Sequence, residues 1–339
     1  MNEIPKNFEN KLLVGNSAEI LKKFPDESID LIITSPPYWN AVSYHGNENF
    51  IDYETYLKEL NEVFIQCCRV LRPNGKIAIN SPIMPIPKTL IDQDIRHIKD
   101  ISSDLSFGIL NNTNLNLLSL YVWQKQTSKL MFGSYPYPGN LLENNTIEFI
   151  RVYVKPGKSK KYLKLVKENE KLKKQEWIDL IQQVWFMIPE DVGRKKNHPA
   201  PFPQKLPARL IKMYSYGAIK SFPGDIVLDP FVGTGTTCVV AKKMNRRFIG
   251  IDISSKYIEN AKGRVFKAKE NENINYLIGK TKHQSKEELD IISKAIDKSR
   301  NTKTSSEELI KSIKKHRSQN YGRDVVKKIE QPFLFNDID

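Results

Sequence analysis

Two short runs constrain the fold of this chain more than anything else in it. Ile29-Asp30-Leu31-Ile32-Ile33 and Asp225-Ile226-Val227-Leu228-Asp229 are nearly continuous in apolar, mostly β-branched residues. A strand with one wet face alternates apolar and polar side chains. A continuous run suits a strand covered on both faces, in the middle of a sheet with helices on either side. Each run stops in a loop of small or stiff residues: Ser35-Pro36-Pro37 after the first, Gly233-Thr234-Gly235 after the second.

The rest of the pattern agrees. Short apolar runs over 11–14, 76–80, 119–125, 146–155 and 247–252 read as further strands. Apolar residues at helical spacing predict helices over 18–24, 53–71, 205–216, 236–244 and 256–269. Residues 81–116 are less regular, with one plausible helix. Strand–helix alternation at this spacing implies an α/β fold with a mostly parallel, doubly wound sheet. A chain of 339 residues suits one large domain with an insertion and a tail. The expected division is a domain in two parts, 1–155 and 191–280, an insertion over 156–190 and a charged helical extension over 281–339. In that extension Ser285 with Glu288, and Ser305 with Glu308, have capping-box spacing.

Charge enters because of where it lies. Lys plus Arg is 53 against 39 acidic residues, a net charge of +14. That excess serves solubility in any protein, and it also suits a polyanionic partner such as nucleic acid. Residues 155–174 hold nine lysines against Glu168 and Glu170, a local excess of +7, which predicts a surface insertion. Lys158, Lys160, Lys161 and Lys164 there, with Arg194, Lys195 and Lys196 further on, are the candidates for phosphate contact. A solvated charged face is the plainer alternative for any single lysine. No apolar run is long enough to span a membrane, and residues 1–10 carry no apolar stretch of signal type, so a soluble, cytoplasmic protein is expected. Cys67, Cys68 and Cys238 have no zinc spacing and read as reduced core residues. No metal site is expected.

The two loops carry the chemistry. The glycines in 229–237 allow close backbone approach and a tight turn into a helix. Asp229 stands where a phosphate-binding loop prefers no acid, and no P-loop lysine follows. An ordinary βα turn explains the glycines alone. With the acid they suit a ligand without phosphates that bears an ammonium and a ribose, with Asp252 at the end of the next strand on the ribose. In Thr34-Ser35-Pro36-Pro37-Tyr38-Trp39, prolines end a strand, which is one sufficient reason for them. An exocyclic amino group gives a second. Its lone pair is delocalised into the base, and two acceptors for its N–H hydrogens hold it in a reactive geometry. The Ser35 hydroxyl and the Pro36 carbonyl, preset by the proline ring, supply them. Tyr38 offers a face to a base taken out of its stack and to a sulfonium cation.

The loop at 229–235 resembles motif I of S-adenosyl-L-methionine-dependent methyltransferases, with Asp252 in the motif II position. Ser35-Pro36-Pro37-Tyr38 resembles motif IV of DNA amino-methyltransferases. In that family a serine at the Ser35 position is typical of N4-cytosine enzymes, and Asp or Asn of N6-adenine enzymes. The catalytic motif precedes the cofactor loop, which is similar to the circularly permuted β class. His198-Pro199-Ala200-Pro201-Phe202-Pro203 resembles motif X. Gly133 to Pro138, and the run from Glu148 to Lys155, also resemble family segments.

The resemblance covers roughly residues 10–270 and implies the permuted Rossmann-like methyltransferase fold. It implies S-adenosyl-L-methionine bound by Asp229, Pro230, Phe231, Gly233, Gly235, Thr236 and Asp252, walled by His198, Pro199 and Phe202. Asn16 replaces the aspartate that usually meets the cofactor's adenine; its amide oxygen can accept the same hydrogen bond. Ser35, Pro36, Pro37 and Tyr38 are the implied catalytic residues. The implied activity is N4-cytosine methylation of double-stranded DNA, beside a cognate restriction endonuclease, by a monomer or homodimer. The insertion would be the target-recognition region, with Trp177 and Trp185 as packing residues. N6-adenine transfer, a catalytically inactive DNA-binding protein and RNA methylation stay open. C5-cytosine transfer is disfavoured because no cysteine follows a proline.

Overall fold

A computed structural model of the chain describes residues 2–39, 52–85, 98–125, 138–139, 146–188, 202–272 and 274. The chain divides into two units, residues 1–125 with 145–283, and residues 126–144 with 284–339. Of the second unit only residues 138–139 are described, so the proposed extension over 281–339 lies outside the described residues.

The first unit is built on an eight-stranded sheet. Along the chain come β1 (Lys11–Val14), α1 (Ser17–Leu21), β2 (Ile29–Thr34), α2 (Tyr53–Val70), β3 (Leu71–Pro82), β4 (Met84–Pro85), β5 (Ile98–Lys99) and α3 (Ile101–Asn112). There follow β6 (Asn116–Lys125), β7 (Ile147–Val154), α4 (Lys164–Asn169), α5 (Lys174–Leu180) and β8 (Val184–Met187). The last are α6 (Lys205–Tyr214), β9 (Ile226–Asp229), α7 (Thr236–Lys243), β10 (Arg247–Asp252) and α8 (Ser255–Lys267). The strand order is β1-β10-β9-β2-β3-β7-β6-β8, with β4 and β5 forming a separate ribbon. Only β7 runs antiparallel to its neighbours, β3 and β6, so the sheet is α/β and mostly parallel as expected.

The two apolar runs become β9 and β2, side by side at the centre. Every residue of β2 and β9 is buried. Their side chains alternate between two cores, as period 2 requires. Leu31, Ile33 and Val227 pack with α6, α7 and α8 through Leu206, Leu210, Val240 and Ile258. Ile32, Leu228 and Ile251 pack on the other face with α1, α2 and α3 through Leu21, Phe64 and Leu105. Cys67 and Cys68 join the second core and Cys238 the first; all three are free and buried.

Two elements differ from expectation. β3 starts at Leu71, straight from α2, because Pro73-Asn74-Gly75 is absorbed in a register shift opposite Ile29–Leu31. Asn74 takes φ 60 there. β8 lies within the supposed insertion yet pairs with β6 at the sheet edge. Its four apolar residues are too few to choose strand over helix from spacing alone. Among the described residues no helix is long and apolar enough to cross a membrane.

Candidate active site

From β9 the chain winds through α7 to β10; from β2 it winds the other way through α2 to β3. The loops after the two strands therefore diverge, and a crevice opens at the carboxyl ends of β9 and β2, where open α/β sheets place ligands. Thr34 ends β2 and Asp229 ends β9, and the Thr34 hydroxyl donates to Asp229 Oδ1 at 2.7 Å. One hydrogen bond thus joins two motifs far apart in sequence. Thr237 Oγ1 donates to Oδ2 at 2.7 Å and the Phe231 N–H to Oδ1 at 3.1 Å. Asp229 is 1% exposed, and burial pushes its carboxyl up to about 6, against the donors that favour its ionised form. It lies beneath the loop and ties the two motifs together.

The loop itself fits the ligand class read from its sequence. Gly233 and Gly235 have φ 49 and 85, the left-handed region that favours glycine. A Cβ on Gly235 would stand 2.8 Å from the Ala261 Cβ and 3.2 Å from its Cα, so this glycine lets α8 close on the loop. The half-buried Asp252 accepts from the Gly233 N–H and the Ser254 N–H, each at 2.9 Å, which sets its carboxylate at the end of β10. The Gly15 N–H donates to the Asp252 carbonyl at 2.9 Å, bringing Asn16 to the same place. Asn16 also caps α1 by accepting from the Glu19 N–H. Ser17 Oγ donates to the Pro230 carbonyl at 2.5 Å. Phe231 is half-buried, edge-on to Phe64. Thr236 is 6% exposed and its hydroxyl accepts from Arg264, which also donates to the Thr234 carbonyl. Carboxylate, amide and backbone, with no cation between 229 and 237, suit hydroxyls and an ammonium and not phosphates. Phe202 is half-buried against the α6–α7 core. His198 and Pro199 lie outside the described residues, as does the 133–137 segment.

The Ser-Pro-Pro-Tyr loop is held, directly or through one partner, by side chains from five other elements. The Pro37 carbonyl accepts from Tyr56 of α2 at 2.9 Å, so Pro37 anchors the loop. Trp39 packs edge-on to Tyr53 at 5.0 Å, and the Tyr53 hydroxyl donates to Asp104 of α3 at 2.5 Å. Ser35 Oγ donates to the Tyr38 hydroxyl at 3.2 Å, which donates to Glu148 Oε2 of β7 at 2.9 Å. Asn80 of β3 donates to the same oxygen, and Lys125 of β6 to Oε1 at 2.9 Å. The sequence named Glu148 only as the start of a family segment and gave Asn80 and Lys125 no role. The available signal was an acid near the start of a strand that is apolar apart from Arg151.

The lysine-rich segment is elsewhere. β7 runs from Glu148, beside this loop, to Val154 at the opposite edge of the sheet. There Lys155 donates to the Cys68 and Leu71 carbonyls at 3.0 and 2.8 Å, satisfying the end of α2. Lys160 pairs with Asp30 at 3.1 Å and Asp225 at 2.9 Å, before β2 and β9 proper have gained their length. Its expected phosphate contact is therefore corrected: its ammonium belongs to two buried carboxylates. Lys158, Lys161 and Lys164 are exposed beside it, at the edge away from Ser35. Trp185 is fully buried against Tyr121, whereas Trp177 is 59% exposed and not the packing residue expected. Arg194, Lys195 and Lys196 lie outside the described residues, although β8 delivers the chain back to the catalytic edge at Met187.

The chain matches the DNA methylase family over residues 29–263. It is 30% identical over 296 residues to the type II methyltransferase M.HinfI of Haemophilus influenzae, across 80% of this chain and 73% of that protein. It is 29% identical over 274 residues to the DNA adenine methyltransferase YhdJ of Escherichia coli, across 75% of this chain and 83% of that one. A Thermus thermophilus structure, assigned as a DNA modification methylase and complexed with S-adenosyl-L-methionine, matches with TM-score 0.61 at 29% identity. That match covers 76% of this chain and 93% of the other.

Proposed function

The chain belongs to the N6/N4 DNA methylase family, and on that premise we propose that it methylates the exocyclic N4 amino group of a flipped cytosine in double-stranded DNA. It is a DNA methyltransferase of restriction–modification type with S-adenosyl-L-methionine as cofactor. The observation that carries the proposed chemistry is the placement of Ser35 immediately after Thr34, whose hydroxyl binds the acid beneath the cofactor loop. Acceptor and cofactor loop are thereby neighbours on adjacent strands.

S-adenosyl-L-methionine supplies an electrophilic methyl group on a sulfonium. Asp252 would hold the ribose hydroxyls, Asn16 the adenine, and the 230–235 loop with Phe231 the methionine part, with Phe202 beside them. Ser35 Oγ and the Pro36 carbonyl accept the two amino N–H hydrogens of the target base, and the Tyr38 ring stacks on it. The substrate nitrogen is thus oriented with its lone pair toward the crevice, which is catalysis by positioning. Arg194, Lys195 and Lys196, which follow β8 in sequence, are the proposed contacts to the DNA backbone. The enzyme works in the cytoplasm as a monomer or homodimer, beside an endonuclease that cuts the same site unmethylated.

Serine at position 35 favours cytosine. The relationship to a DNA adenine methyltransferase favours the second reading, N6-adenine transfer in the same pocket. Nucleoside mass spectrometry of DNA methylated by the purified enzyme separates them. N4-methylcytosine is the expected product; N6-methyladenine overturns the choice of base and leaves the amino-transfer reading standing.

A further inference from the structure

The proposed mechanism needs Ser35 to accept a hydrogen bond, yet a serine hydroxyl donates as readily as it accepts. A second hydroxyl or a water beside it can turn its proton toward the substrate, where it would oppose the amino group. The surroundings of Ser35 remove that freedom. Lys125 donates to Glu148 Oε1 at 2.9 Å, and Asn80 donates to Oε2. The Tyr38 hydroxyl donates to Oε2 at 2.9 Å, and Ser35 donates to the Tyr38 oxygen at 3.2 Å. An ionised carboxylate only accepts. Glu148 is 5% exposed and Asn80 1% exposed, so solvent does not scramble the order.

We propose that Glu148 is a positioning residue that sets the direction of this chain, so that Ser35 presents only lone pairs to the amino group. It touches neither base nor cofactor and acts through Tyr38. The inference rests on the amino-transfer reading and holds for either base. It gives the Ser-Pro-Pro-Tyr tyrosine a second task besides its ring: the hydroxyl passes the carboxylate's polarity to the serine. No proton changes owner in the process.

An amide in place of the carboxylate reverses the chain. The Lys125 ammonium needs an acceptor, so Glu148→Gln turns its carbonyl oxygen to Lys125 and its NH2 toward Tyr38 and Asn80, whose amide turns over to present its Oδ1, an atom with no partner in the wild type. The tyrosine oxygen then accepts from the amide, its proton turns to Ser35, and the serine proton turns to the substrate. Single-turnover transfer of a labelled methyl group reads the effect, with S-adenosyl-L-methionine and DNA binding measured alongside. Glu148→Gln should slow transfer about tenfold or more with little change in either affinity. Tyr38→Phe removes the hydroxyl that relays the reversal. In that background the same substitution should cost less than about twofold further. An equal loss in both backgrounds, or no loss in the first, overturns the inference.

If Glu148→Gln does not fold, Ser35→Ala and Tyr38→Phe form an equivalent cycle that leaves no buried charge unpaired. Tyr38→Phe must then cost less in the Ser35→Ala background than in the wild type; an equal cost overturns the inference. The unmodified enzyme distinguishes the two levels. If it forms no methylamino base at all, the amino-transfer reading falls and this inference with it. If it does, and the cycles show no coupling, only the role of Glu148 falls.

Discussion

The two edges of the central sheet use charge in opposite ways. At the carboxyl edge of β2 and β9, Asp229, Asp252 and Glu148 accept hydrogen bonds from loops and shape them around a crevice. At the amino edge of the same strands, Asp30 and Asp225 are buried around Lys160, with Arg72 3.1 Å from Asp30 and the Tyr162 hydroxyl on Asp225. Both edges hold buried acids, Asp229 and Glu148 at one and Asp30 and Asp225 at the other. One set accepts mainly from backbone and neutral side chains, with Lys125 on Glu148, and it orders backbone near a ligand. The other is neutralised in place and fastens the 155–162 strap across the bottom of the sheet. Burial of a carboxylate therefore does not mark a functional site; the identity of its donors and the edge it occupies do.

The largest test of this contrast is Lys160→Met. Removing one partner of a buried ion pair costs about 3–5 kcal/mol, here because Asp30 and Asp225 would face each other without their shared cation. Denaturant unfolding should show that loss, while methyl transfer per folded molecule stays the same. A loss of DNA affinity without a loss of stability would return Lys160 to the DNA-contacting role first expected of it. Ser35→Ala should do the reverse. It removes an acceptor at the reactive edge, with an expected slowing of about 10²-fold and no change in melting temperature. A variant that keeps full activity would show that Ser35 does not hold the amino group.

The contrast also explains what was legible in the sequence. β2 and β9 announced themselves because central parallel strands need unbroken apolar runs. Glycines at 233 and 235 and the prolines at 36 and 37 were legible because backbone conformation limits which residues fit. The partners of these loops were not. Glu148, Asn80 and Lys125 come from three different strands, and only the register of β3, β6 and β7 brings them to Ser35. The lysine-rich segment misled for the same reason. Composition counts nine lysines but does not say that Lys155 and Lys160 turn inward while Lys158 and Lys161 turn out. Asp229 was legible as the acid that opens the cofactor loop, but its burial and its bond to Thr34 were not, because sequence does not report depth.

Asp229 sharpens the contrast further, since it sits at the reactive edge but among the described residues no cation pairs with it. Burial raises its folded pKa to about 6. The folded protein then binds this proton more tightly than the unfolded chain does. Its contribution to stability is greatest below about pH 4 and is lost as pH rises through about 6. Asp229→Asn removes the titration, so its melting temperature relative to wild type should rise between pH 4.5 and 7. The difference should reach about 2 kcal/mol at neutral pH, less than the full shift allows because an amide accepts fewer bonds. A difference that does not change with pH would mean that Asp229 is not the group that titrates there.

The smallest effect expected is the most informative about DNA. Lys158, Lys161 and Lys164 are exposed, basic and close in sequence, which is the composition of a phosphate-binding patch. They lie at the amino edge, and the six residues of β2 put about 20 Å of strand between that edge and Ser35. A duplex that delivers a flipped base to Ser35 lies along the carboxyl edge, so these three lysines should make few of its phosphate contacts. Each phosphate contact contributes about 0.9 to the slope of log affinity against log salt. Replacing all three with alanine should change that slope by less than about 1, whereas replacing Arg194, Lys195 and Lys196 should lower it by about 2 to 3. The reverse outcome would mean that the duplex wraps past the sheet to its far edge. The strap would then do two tasks at once, with Lys155 and Lys160 fastening it and their exposed neighbours holding DNA.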